Sequence, residues 1–205
     1  MNWNHYWRLT TRGTGRATRA GARERMCLEH TMPTSVNAWK SVLNMVSELK
    51  RCDDHGITTA SVAMSFICID ALASLSRRQD KIQVTRAGFK DWVDKHLKAH
   101  PEQPYQYRGK NVYAARCAFL HTYGSESDLH QIDPDTVKFA YHDGGRHQYN
   151  GRVNPTLAII GTKSFVNDVI HAVGSFLNEC RNDPLLKARV EPRLSQVVQS
   201  DPYPS

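Results

Sequence analysis

At 205 residues, 23% charged and 40% hydrophobic, the chain has the size and composition of one ordinary globular domain with room for a small appendage. No uninterrupted apolar run reaches the roughly 18 residues of a membrane span, and the five cysteines, odd in number and never in a C-x-x-C pair, exclude a disulfide framework and a zinc knuckle and fit a reducing cytoplasm. Of the net charge of +7, residues 1–31 supply +4, six arginines against Glu24 and Glu29. The high isoelectric point is therefore half a property of that arm, and total charge argues only weakly for nucleic-acid binding.

Residues 1–31 are rich in Arg, Thr, Gly and Ala and lack a sustained apolar period, so they are expected to stay unordered. Three readings stand for them: a basic arm on phosphates, a transit-like peptide, or an upstream extension of a frame that starts at Met32. The last is preferred, because MPTSVNAW reads as a natural opening with a helix cap. Residues 32–200 are expected to form a single domain and 201–205 a tail.

A first helix is expected from Thr34, capped by Ser35, with Val36, Trp39, Val42, Leu43, Val46 and Leu49 at helical intervals, to about Cys52. Thr58 or Thr59 opens a second, reaching about Arg78. Its run from Ile57 to Leu75 is broken only by small polar residues and Asp70, which places it at the centre of a bundle. A lone buried carboxylate is costly unless paired, and Arg116 is the predicted partner of Asp70. Thr85 caps a third helix with Phe89, Trp92, Val93 and Leu97 as its stripe. His96 and His100 share the spacing of two zinc ligands, but the pair flanks the helix end. A solvated face is the better reading, and no metal or other cofactor is expected.

The next helix carries the chemistry. In NVYAARCAFLHTYG, residues 111–124, an apolar helix bears the guanidinium of Arg116, the imidazole of His121 and the phenol of Tyr123, with Gly124 as its stop. Such a set suits a phosphodiester. It equally suits a buried Arg–carboxylate pair beside a histidine at a helix end. On an ideal helix, residues five apart are rotated by about 140°, so Arg116 and His121 meet only if His121 lies in the last turn or a second subunit completes the pair.

Beyond Gly124 the texture changes. Val137–Tyr141 and Asn154–Ile160 are β-prone around the turn signal Gly144-Gly145, predicting a small β-hairpin insert over about 137–160, with His142, Asp143, Arg146 and His147 on an exposed loop. A helix over about 162–181 follows, broken at Asp183-Pro184, then a short one over about 185–198 that Pro192 bends. Gly161-Thr162-Lys163-Ser164 resembles the end of a phosphate loop but lacks its first glycine, with Ala158 five positions before Lys163.

The segment R116-C-A-F-L-H121-T-Y123 resembles the R-x4-6-H signature of the HEPN superfamily, in its R-x4-H-x-Y form. A looser similarity in helical order covers about residues 35–125. The resemblance implies a mainly α, HEPN-like helical bundle acting as a metal-independent endoribonuclease, in which a homodimer joins two Arg116/His121 pairs across one cleft. It also implies RNA as substrate, a toxin or defence role, and a nucleotidyltransferase antitoxin that modifies Tyr123. Arg116 would stabilise charge on phosphorus and His121 would transfer protons, as general acid first. Many active members carry a polar residue directly after the arginine, where this chain has Cys117. The alternatives are a non-catalytic HEPN-like dimerisation or scaffold module, and a basic nucleic-acid-binding protein that relies on the arm.

Overall fold

The computed structural model describes residues 34–198, with side chains from Trp39 onward. These belong almost wholly to the second of two units into which the chain divides, Ala38–Ser205. The expectations for residues 1–31 and 201–205 lie outside the described residues.

Among the described residues the fold is mainly helical with a small two-stranded sheet. Helix α1 spans Thr34–Asp54, placing Ser35 inside its first turn rather than at its cap. Helix α2, Thr58–Ser76, packs against four later elements and is the central helix expected. Its mean hydropathy and length are those of a helix able to cross a membrane, which the polar interruptions obscured in the sequence. Half of that apolar stretch is buried inside the bundle. The serines are accommodated because Ser61 donates to the Ile57 carbonyl at 3.0 Å and Ser65 to the Ser61 carbonyl at 2.8 Å.

Helix α3, Arg86–His96, is capped as predicted, Thr85 Oγ1 accepting from the Gly88 amide at 3.0 Å. Helix α4, Gly109–Thr122, lies against α3. Its first residue must be glycine: a Cβ at 109 would stand 2.4 Å from the Lys90 carbonyl oxygen. The Gly109 amide is fixed there by Asp94 Oδ1 at 2.6 Å. Phe66, Phe89, Phe165 and Phe176, all at most 1% exposed, fill the space between α2, α3 and the later helices.

A short helix α5, Asp128–Ile132, was not foreseen; Ser127 and His130 form its reciprocal cap. Strands β1, Lys138–His142, and β2, Leu157–Gly161, pair in parallel, Lys138 opposite Leu157 through His142 opposite Gly161. This corrects the hairpin. A hairpin joins its strands by a tight turn, whereas the long segment here lets the chain double back and re-enter in the original direction. On its way it forms one antiparallel bridge, Gln148 to Ile159. Helix α6 runs Thr162–Asn182 and α7 Pro184–Val190, the latter capped by Asp183 on the Leu185 and Leu186 amides at 2.9 and 3.0 Å. A 3-10 segment, Glu191–Gln196, with Pro192 in its first turn, completes the described chain.

Candidate active site around Arg116

Asp70 stands two-thirds along α2 and Arg116 about mid-way along α4, and the crossing of the two helices brings them together. Arg116 Nε and Nη2 each lie 2.7 Å from Asp70 Oδ2, with both side chains about a quarter exposed. This is the pair expected from the sequence. Burial works against the charge on Arg116, but the bonds to Asp70 outweigh it and raise the guanidinium above its ordinary value.

Arg116 Nη1 lies 3.1 Å from His121 Nε2. The fifth-residue spacing is bridged because His121 is in the last turn of α4 and the arginine side chain is long. Arginine only donates, so Nε2 accepts, carrying the lone pair, and Nδ1 bears the proton. In this form the imidazole takes a proton. The acid role assigned from sequence requires that it first be loaded.

The helix ends one residue earlier than the glycine suggested. Tyr123 itself adopts the left-handed conformation (φ 54°, ψ 28°) and directs its amide to the Ala118 and Phe119 carbonyls. Its ring packs on Phe119 at 5.4 Å yet is 72% exposed, so the phenol is open to solvent. Phe119 in turn contacts Phe66 and, edge-on, Tyr141 of β1.

Asp70 and Arg116 line a cleft of about 440 Å³ whose walls also carry Arg77, Arg86 and Tyr113. The Arg86 guanidinium sits 5.5 Å over the Tyr113 ring. Three guanidinium groups against one carboxylate make a surface suited to a phosphate backbone.

The remaining histidines sort differently from expectation. His96 is buried, bonded to Ser175 Oγ at 3.1 Å and near Glu179 Oε2 at 3.3 Å, so the solvated face is overturned: α3 ends at His96 and the exposed His100 lies beyond it. Among the described residues no group of three metal-ligating side chains converges. His147, placed on an exposed loop by its glycine-rich neighbourhood, is 1% exposed. Its Nδ1 accepts from the Gly161 amide at 3.1 Å and its Nε2 lies 2.7 Å from Tyr107 Oη, which donates to Asp168 Oδ2 at 3.1 Å. Burial and the neighbouring His142 lower His147 to about 4, and burial lifts Asp168 to about 6. This chain of bonds, together with Gln103 bonded to the His147 amide, fastens the β insert to α6. Nothing in the sequence spacing of Tyr107, His147 and Asp168 announces it.

No family model, no curated protein and no solved structure matches the chain.

Proposed function

We propose that the chain is a metal-independent endoribonuclease of HEPN type acting as a homodimer. The observation that carries this reading is the contact of Arg116, which lines an arginine-rich cleft, with His121 at 3.1 Å. His121 Nε2 takes the proton of the RNA 2′-hydroxyl, whose oxygen attacks the adjacent phosphorus. The guanidinium of Arg116 stabilises the charge that builds on the phosphoryl oxygens. The bond to the 5′-oxygen breaks, that oxygen receives a proton from a second His121, contributed in its protonated form by the other copy, and the products are a 2′,3′-cyclic phosphate and a 5′-hydroxyl. Asp70 orients the guanidinium. The exposed Tyr123 phenol fits an acceptor for nucleotidyl transfer by an antitoxin partner, which would add charge and bulk two residues from His121.

A second reading, a scaffold without catalysis, is favoured by one feature: Asp70 already takes two donors of Arg116. The reading as a nucleic-acid-binding protein rests on an arm outside the described residues. A single experiment separates them. The full chain is incubated with single-stranded RNA in EDTA beside His121→Ala, Arg116→Lys and Asp70→Asn, with folding followed by circular dichroism. Cleavage should fall about 10²–10⁴-fold in His121→Ala, strongly in Arg116→Lys because the planar fork is lost, and less in Asp70→Asn. A folded dimer that cleaves no RNA would leave the scaffold.

A further inference from the structure

A second cleft of about 440 Å³ opens on the other side of Arg77, along α3 from Ala87 to His96 and between it, α6 and α7, with Asp91 and Glu179 as its carboxylates. Its charge is uneven. Lys95 pairs with Glu179 at 2.5 Å, and Arg78 and Lys81 share Asp80. Arg77 and Arg189 also line it, and Arg193 is close to both. Among the described residues none of these three arginines has a carboxylate within ion-pair distance: Arg77 donates to Ser74, Gln196 and the Lys81 carbonyl, and Arg193 to the carbonyls of Leu75, Arg77 and Arg78. Like charges are thus gathered with only neutral acceptors between them. Burial and the nearness of Arg77 and Arg189 lower Arg193 from the ordinary arginine value.

Capping the C-terminal carbonyls of α2 accounts for Arg77 and Arg193. It does not account for two other donors on the same cleft. Trp92, 4% exposed, buries its indole Nε1–H without an acceptor, and Arg189 buries its Nε–H likewise. Buried donors are nearly always paired. Two orphans on residues of one cleft, beside guanidinium groups that neither Asp91 nor Glu179 on its wall pairs, call for the same missing group, an anionic acceptor.

We propose that this cleft is a binding site for a small phosphate-bearing ligand, whose oxygens accept from Arg189 and the Trp92 indole while Arg77 and Lys95 balance its charge. Both orphan donors are shielded from water, so the ligand enters as rim side chains swing aside. The site stands apart from the Arg116 cleft, and its existence does not depend on ribonuclease activity. The two clefts nevertheless share Arg77, Val84 and Thr85.

Titration calorimetry on the full chain at fixed ionic strength tests it, with inorganic phosphate, pyrophosphate and adenosine monophosphate as separate probes. Saturable binding of at least one is expected. It should weaken about tenfold in Arg189→Gln and measurably in Trp92→Phe, which keeps the ring and removes only the N–H. Preference for the nucleotide over the free ions would identify an organic phosphate, and the reverse a free one. No saturable heat at millimolar concentrations, or equal binding by both folded variants, would overturn the proposal; the latter would put the anion elsewhere, as in the Arg116 cleft.

Discussion

Tyr123 shows how far a single residue was legible. The sequence offers Gly124 as the obvious helix stop, yet the left-handed position falls on the tyrosine, the one described non-glycine residue with positive φ. Side chains other than glycine are strained there by roughly 1–2 kcal/mol, and strain of this kind gathers at functional positions. Replacing Tyr123 by Gly or by Ala removes the same contact with Phe119, but only glycine relieves the backbone. Urea unfolding should therefore find Tyr123→Gly more stable than Tyr123→Ala by about 1 kcal/mol, the reverse of the usual helix order. Equal stabilities would mean the turn relaxes without the ring. Asp70 and Arg116 were legible for a different reason. A charge inside an apolar period demands a partner, and of the two cations on the facing helix only Arg116 stands in its middle, Lys110 being in its first turn.

At the scale of elements, α4 is held on two sides. Asp70 of α2 grips its middle, and Asn111 in its first turn, 2% exposed, receives the Val137 amide at 3.1 Å and donates to Tyr105 Oη at 2.7 Å. Asn111 thereby docks the β insert onto the helix that carries Arg116 and His121. Asn111→Ala leaves two buried polar groups unpaired, and a loss of about 2–4 kcal/mol is expected on chemical unfolding. Faster amide exchange across β1 should accompany it; a loss spread evenly over α2 and α6 instead would disprove the local role. Helices were readable because their period lies within the sequence. The strands were readable, but their parallel pairing was not, since it depends on the return of a long segment fixed by His147, Gln103 and the close approach of Gly161 to the Gly144 and Gly145 carbonyls. The same distance in sequence hid His147, whose polar neighbours suggest solvent while Tyr107 and Asp168 bury it.

For the whole molecule, His147 and Asp168 oppose each other in acid. His147 is lowered to about 4, so its stabilisation is complete above its ordinary 6.5 and disappears as pH falls through 4. Asp168 is raised to about 6, so its contribution is complete below its ordinary 3.8 and disappears as pH rises through 6. Between these limits one gain offsets the other loss. Asp168→Asn still accepts the Tyr107 hydroxyl but no longer titrates. Relative to the parent chain it should gain roughly 2–3 kcal/mol between about pH 4 and pH 7, read from melting curves across that range. A gap independent of pH would remove Asp168 from the balance. Finally, synthesis order bears on the Arg116 cleft. Arg193 and Gln196 of the 3-10 segment secure Arg77 on its wall, and they follow every other residue that lines it. A nascent chain emerging from the ribosome N-terminus first has Arg116 and His121 in hand long before Arg77 is anchored. The wall that carries Arg77 is therefore anchored only after the Arg116 and His121 pair has been made.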